Sequence, residues 1–177
     1  MIKLSLCNYI AGAGKDSIAD YLVEEHGFKK YALADGIYDI AREHFGMVVK
    51  DRKLITGIGE KLREIDLMVW IKYTLKRIEE DGHDRVVITD TRKLLEYSYL
   101  LETGWENLMV YCKPEVALKR LEERDGDAKA DLVMNSSLEN QLRPLVDVIT
   151  TIDNTDNWED TKKEIDCIIA KMVEKNG

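Results

Sequence analysis

The run Tyr9-Ile10-Ala11-Gly12-Ala13-Gly14-Lys15-Asp16-Ser17 holds the residues whose types and spacing come nearest to dictating a chemistry. Small side chains at Ala11, Gly12, Ala13 and Gly14 let the backbone curl until successive amides point at one place. A helix opening at Lys15 adds the positive end of its dipole there. Lys15 itself reaches the outer phosphates of a nucleoside triphosphate, so the run reads as a phosphate loop that binds ATP through Ala11 to Ser17. It departs from the usual pattern twice. Tyr9 stands at the first glycine position, and Asp16 stands where a Ser or Thr commonly holds magnesium, which leaves Ser17 to offer the hydroxyl. A tight glycine turn with an exposed lysine is the alternative reading, and the position between a strand and a helix weighs against it.

Such a loop needs a strand before it and a helix after it, and the rest of the chain repeats that alternation. Apolar or β-branched runs at Ile2 to Leu6, Lys29 to Leu33, Val86 to Thr89, Leu108 to Tyr111 and Val148 to Ile152 are separated by helical stretches. This predicts an α/β fold in three layers, a central parallel sheet of about five strands with helices on both faces. Helices are expected over Lys15 to Glu25, Gly36 to Phe45, Arg92 to Glu102 and Pro114 to Arg124, with a last one after a cap at Asp156 or Asn157 carrying Ile165, Ile168, Ile169, Met172 and Val173. Gly59 to Glu80 reads as one long helix, with Leu62, Ile65, Val69 and Tyr73 on a core stripe and Arg63, Asp66 and Trp70 on a neighbouring one that is a candidate site.

Composition narrows the partners. The 177 residues fit one domain, 1–177, and a net charge of -8 argues against non-specific binding to a nucleic-acid backbone, which takes a surplus of Lys and Arg. Nucleic acid is therefore an unexpected partner. No apolar run has the length of a membrane span and no signal peptide is legible, so a cytoplasmic protein is expected. Cys7, Cys112 and Cys167 fit no ligand-pair spacing and read as reduced thiols, while His26, His44 and His83 fall near helix ends.

Gly14-Lys15-Asp16-Ser17 resembles the Gly-Lys-Asp-Thr phosphate loop of the phage-type deoxynucleoside monophosphate kinases, a branch of the P-loop nucleotide kinases. The similarity continues at Tyr31-Ala32-Leu33-Ala34-Asp35, at His44-Phe45-Gly46, at Gly59 to Asp66, at Val69-Trp70-Ile71 and at Val87-Ile88-Thr89-Asp90-Thr91-Arg92, and so covers nearly the whole chain. Two departures stand out. Gly36 occupies a place where the family usually has Pro, and Leu94-Leu95-Glu96 replaces a Pro-Asn pair followed by an acid.

The resemblance implies ATP and Mg2+ as cofactors, small-molecule nucleotides as partners, and transfer of the terminal phosphoryl group to a deoxynucleoside monophosphate. It also implies an acceptor-binding helical region about 36–80 and a lid about 120–137. The host cytoplasm would be the setting for a phage protein, and a homodimer is compatible. Asp90 closes an apolar strand at the sheet edge where ligands of open α/β folds bind, so it would hold magnesium with Asp16 and Ser17 or orient the acceptor phosphate; capping the next helix is its other use. Arg63 and Arg92 can fork onto a phosphate, Asp35 and Arg42 would face the acceptor, and Trp70 offers a flat surface for a base, against surface pairing, capping or core packing for the same residues. Arg120 and Arg124 share a helix face just before the polar stretch Asp125 to Ser137. With Lys15 they form the expected catalytic set, since phosphoryl transfer depends on alignment and charge neutralisation rather than on a nucleophile. A solvated face beside Glu122 and Glu123 is the alternative for the two arginines. Another small acceptor, dephospho-coenzyme A or a modified base in DNA, and a nucleotide-binding switch without transferase activity are the other functions the sequence allows.

Overall fold

Strands form where β-branched and apolar residues alternate between two covered faces. The computed structural model describes residues 1–8, 10–126 and 141–176. Its five strands are β1 (Ile2–Cys7), β2 (Lys29–Tyr31), β3 (Arg85–Thr91), β4 (Glu106–Tyr111) and β5 (Thr150–Asp153), in the order β2-β3-β1-β4-β5. β1 runs parallel to β3, with Leu4 beside Val87, and to β4, with Leu6 beside Leu108; β4 runs parallel to β5, with Val110 beside Ile152. β1 therefore lies where the winding of the sheet reverses, and its carboxyl end is the place where open α/β sheets bind ligands. The helices are α1 (Lys15–His26), α2 (Asp35–Phe45), α3 (Arg52–Ile65), α4 (Val69–Asp81), α5 (Leu94–Glu102), α6 (Pro114–Asp125) and α7 (Trp158–Asn176), with a short 3-10 turn at Arg143–Leu145.

The chain divides into two compact units, one of residues 1–30 and 84–177 and the other Tyr31–His83. In the first, the period of two along the strands sorts the core. Leu4, Leu6, Val87, Leu108, Val110 and Ile152 face Ile18, Ala19 and Leu22 of α1 and Ile165, Ile169 and Met172 of α7. Cys7 and Met109 point the other way, against Leu142, Ile149 and Tyr97 of α5. Each fully buried aliphatic side chain of this kind contributes about 1.5–3 kcal/mol, which makes the sheet a rigid base for whatever leaves its carboxyl edge. Asn157 caps α7, its carboxamide oxygen accepting from the Glu159 amide at 3.0 Å.

The second unit corrects the sequence reading of one helix over Gly59 to Glu80. The segment starts earlier, at Arg52, where Asp51 accepts from the amides of Lys53 and Leu54, and it breaks at Asp66. Asp66 is extended, with φ -144 and ψ 111, and its carboxylate accepts from the Met68 amide at 2.9 Å, so a second helix begins at Val69. An acid whose carboxylate takes a backbone amide two residues on competes with helix continuation, and here it wins. The two stripes inferred for a continuous helix therefore do not exist, and Ile65, assigned to the core stripe, is 82% exposed. α5 also starts two residues later than expected, because Glu96 accepts from the Arg92 and Lys93 amides and fixes Lys93 as its N-cap. The expected lid lies outside the described residues beyond Gly126. Among the described residues no helix is long and apolar enough to cross a membrane.

Candidate functional site

β1 delivers the chain to Asn8, whose buried side chain donates to the Ile10 carbonyl and turns the backbone. Gly12 and Gly14 then take φ values of 81 and 90, in the left-handed region where only glycine is comfortable. Space demands glycine as well. A Cβ on Gly12 would lie 2.6 Å from the Ala117 carbonyl oxygen of α6, and one on Gly14 would lie 2.2 Å from Nδ2 of Asn154. α1 begins directly at Lys15 with Gly14 as its N-cap, and no side chain caps that start, so the first-turn amides of the helix face the loop's open side. Lys15 is half-buried there, while Asp16 and Ser17 are exposed on the first turn.

The loop is held from the far side of the sheet unit. Asn154, directly after β5 and 7% exposed, donates from Nδ2 to the Ala13 carbonyl at 2.9 Å and from its backbone to the Tyr111 carbonyl at 2.8 Å. Its own carbonyl accepts from Nη2 of Arg120 at 3.0 Å. The other terminal nitrogen, Nη1, is buried without a hydrogen-bond partner among the described residues, and lies 3.6 Å from the place a Gly14 Cβ would take. Leaving such a charged donor unmatched costs upward of about 1–3 kcal/mol, a cost an anion over Gly14 would remove.

Two thiols sit near the same loop. The Cys112 thiol approaches the Gly12 carbonyl at 3.9 Å and is pushed up from its ordinary pKa by burial, against the opposing pull of the Arg120 charge. Burial also pushes the Cys7 thiol up to about 12, with the Lys15 charge pulling the other way. Neither thiol ionises near neutral pH, so neither offsets the positive charge around the loop. Glycine curl, open helix start, Lys15 and Arg120 together fit a polyphosphate.

The remaining residues expected in this unit are arranged less tightly. Asp90 is half-buried near the end of β3 and Arg92 is exposed just beyond it, and the Arg92 and Lys93 amides at the start of α5 donate to Glu96. Arg124 is exposed in the last turn of α6, one turn beyond Arg120. Among the described residues no three His, Cys, Asp or Glu side chains group as a metal site, so a magnesium ion at Asp16, Ser17 or Asp90 would draw its other ligands from phosphate and water.

In the helical unit the expected acceptor residues are engaged with their neighbours. The Asp35 carboxylate accepts from the Ala32 amide at 3.0 Å and has Arg77 at 4.0 Å. Arg42 is exposed, 3.9 Å from Asp39 and over the Tyr38 ring. Arg63 turns back along α3 to the Gly59 carbonyl at 3.4 Å, and Asp66, besides accepting from the Met68 amide, pairs with Lys72 at 2.6 Å, which holds its carboxyl below the usual carboxylate range. Trp70 is 2% exposed and donates its indole N–H to the same Gly59 carbonyl at 3.2 Å. Its ring is covered in this arrangement, so a base could stack on it only after the indole is uncovered. Gly36, the departure from Pro, has a local reason: a Cβ there would lie 2.7 Å from the Tyr73 ring and 3.1 Å from Trp70.

The sequence reading missed Asn154. Its signal was position, because a polar Asp153-Asn154-Thr155 run follows an apolar strand at the carboxyl edge of a parallel sheet.

No curated protein matches the chain in sequence. Among solved structures, TT1252 from Thermus thermophilus is similar with a TM-score of 0.61 at 18% identity, covering 96% of this chain and 97% of that one. A gluconokinase from Sinorhizobium meliloti 1021 gives 0.53 at 18% identity, covering 98% and 94%. Dephospho-CoA kinase from Campylobacter jejuni gives 0.53 at 16% identity, covering 96% of each. At these identities the likeness shows a shared fold: a parallel five-stranded sheet wrapped by helices. Residues 10–143, which include the loop from Ile10 onward and Arg120, match the AAA domain family, and the chain belongs to it.

Proposed function

We propose that the chain transfers the terminal phosphoryl group of ATP to a deoxynucleoside monophosphate, giving the diphosphate and ADP. The observation that carries the transferase part is the buried Nη1 of Arg120 held over Gly14, on a loop whose glycines, helix start and Lys15 already suit a polyphosphate. A protein that only bound a nucleotide would have little use for a cation fixed opposite the helix start. The shared fold with two proteins named as kinases supports the same reading.

Bound ATP with Mg2+ would supply the phosphoryl group and a divalent charge. The amides from Ala11 to Ser17 bind and orient the phosphates, and Lys15 neutralises their outer oxygens. Asp16 and Ser17, exposed on the first turn of α1, and Asp90 at the end of β3 are the oxygen donors that would hold the ion. Arg120 and Arg124 balance charge that grows as the phosphoryl group leaves. Arg63 and Arg92 suit the acceptor phosphate by their forked geometry, with Asp35, Arg42 and Asp66 as further polar groups for the acceptor.

A second reading, a kinase for another small acceptor, draws support from the fold shared over 96% of each chain with dephospho-CoA kinase. ADP release measured with each deoxy- and ribonucleoside monophosphate, dephospho-coenzyme A and gluconate decides between them. Turnover highest with a deoxynucleoside monophosphate is the expected result. Highest turnover with dephospho-coenzyme A or gluconate establishes the second reading, and hydrolysis indifferent to every acceptor makes the protein a nucleotide-dependent switch.

A further inference from the structure

We propose that Asn154 is a positioning residue for phosphoryl transfer, joining the phosphate loop and Arg120 into one preset unit. The inference rests on the kinase reading and adds a residue from outside the loop and outside α6. Three bonds converge on Asn154: Nδ2 to the Ala13 carbonyl at 2.9 Å, its own carbonyl to Arg120 Nη2 at 3.0 Å, and its amide to the Tyr111 carbonyl at 2.8 Å. The last bond continues the β4–β5 pairing, in which Tyr111 is partnered by Asp153, so Asn154 has the rigidity of the sheet rather than of a loop.

Its neighbours hold the same turn. Thr155 accepts from the Lys113 amide at 3.1 Å through Oγ1, and its own amide donates to Asp153 at 2.9 Å. The geometry divides the labour within one residue. The side chain fixes the peptide between Ala13 and Gly14, and by filling the place of a Gly14 Cβ it excludes any other residue there. The backbone carbonyl occupies one end of the Arg120 guanidinium and leaves Nη1 directed at the loop. A cation aimed before the reaction begins needs no reorganisation during it, which is the condition for large electrostatic stabilisation.

Replacement by Ala and by Asp separates positioning from space filling. Asn154→Ala removes the tie to Ala13, and kcat should fall about tenfold with the acceptor KM within about twofold. Asn154→Asp keeps the shape but turns a carboxylate toward the Ala13 carbonyl and offers Arg120 a competing anion. It should therefore be worse than Ala, with kcat down about a hundredfold and a non-hydrolysable ATP analogue bound about tenfold more weakly. In an Arg120→Ala background the gap between Asp and Ala should shrink to about threefold or less, since the competing contact is gone. Asn154→Ser, whose hydroxyl is too short to reach Ala13, serves if Ala or Asp fails to fold, and should match the Ala result. Asn157→Ala, which removes only the cap of α7, is the control for general loosening and should leave kcat within about twofold.

A kcat for Asn154→Ala within about threefold of the parent overturns the inference. So does an Asp variant milder than Ala, the order expected if Asn154 only occupies space. If the parent protein transfers to no acceptor, the kinase reading fails by itself. The analogue titration then still decides the role of Asn154: Asp binding more weakly than Ala supports it, and Asp binding as well or better overturns it.

Discussion

The phosphate loop and the helical unit treat their polar groups in opposite ways. Around the loop, contacts distant in sequence set the groups in place: Asn154 reaches back to Ala13, and Arg120 keeps Nη1 buried and, among the described residues, unmatched over Gly14. In the helical unit most of the candidates are matched to neighbours, Asp66 to Lys72 and the Met68 amide, Arg63 and Trp70 to the Gly59 carbonyl, Asp35 to the Ala32 amide. A site already shaped for its ligand stores unmatched charge, whereas one whose groups are paired must exchange partners when the ligand arrives. Changes at the loop should therefore appear in kcat, and changes in the helical unit should appear in acceptor KM or in stability.

The sharpest way to break that comparison is at the loop. Lys15→Ala should keep the fold and cut kcat by about a hundredfold or more, the scale of losing one preorganised charge donor. Stopped-time ADP release together with a melting curve measures both, and near-normal turnover in a folded protein would remove the phosphate-loop assignment. Arg120→Ala should lose kcat on the same scale, and Arg124→Ala about tenfold, because only Arg120 is half-buried over the loop while Arg124 is exposed. Arg124→Ala should leave affinity for an ATP analogue nearly unaltered, Arg120→Ala should weaken it by less than it lowers kcat, and the double variant should raise the share of ATP lost to water. Equal small losses at both positions would make α6 an ordinary solvated helix. Gly12→Ala tests the frame itself. Strain at positive φ and the approach to the Ala117 carbonyl should lower stability by about 2–4 kcal/mol, read by denaturant unfolding.

On the acceptor side the expected effects are smaller. Arg63→Lys and Arg92→Lys should each raise acceptor KM about tenfold without changing ATP affinity, since a point charge cannot reproduce a planar fork. Separate titrations of the two ligands measure this. Equal losses for both ligands, or none, would leave Arg63 as a helix contact to Gly59 and Arg92 as a surface charge.

The sheet was legible because its signals are local. β1, the glycine turn and α1 follow each other within one short stretch, and period-two apolar runs locate the other strands within a few residues. The break at Asp66 was not, because helical spacing continues across it: Leu62, Val69 and Tyr73 keep the period while the Asp66 carboxylate, by taking the Met68 amide, turns the chain. A side-chain turn inside an amphipathic pattern is invisible to periodicity. Asn154 and the orientation of Arg120 were illegible for another reason, since the bonds that give them meaning span 141 and 34 residues. Gly36 combined both cases: it reads as a departure from the family's Pro, but its cause is the Tyr73 and Trp70 pair more than thirty residues away.

Trp70 offers the smallest and most discriminating test of the comparison. Its sequence position suits a surface for a base, whereas its burial with an indole bond to Gly59 at 3.2 Å suits packing. Trp70→Phe keeps a flat aromatic ring, so a stacking role would survive it, while the N–H donor and part of the ring volume are lost. The bond contributes about 0.5–1.5 kcal/mol and the lost volume adds a cavity term of similar size. For a chain of this length a loss of about 1–3 kcal/mol lowers the melting temperature by roughly 2–12 °C. If Trp70 only packs, acceptor KM and the order of preference among bases should stay within about twofold of the parent while the melting temperature falls. A variant with parental stability and altered base preference would reverse the assignment. It would mean that Trp70 leaves the Gly59 carbonyl when the acceptor binds, and that the helical unit, like the loop, keeps a group in reserve for its ligand.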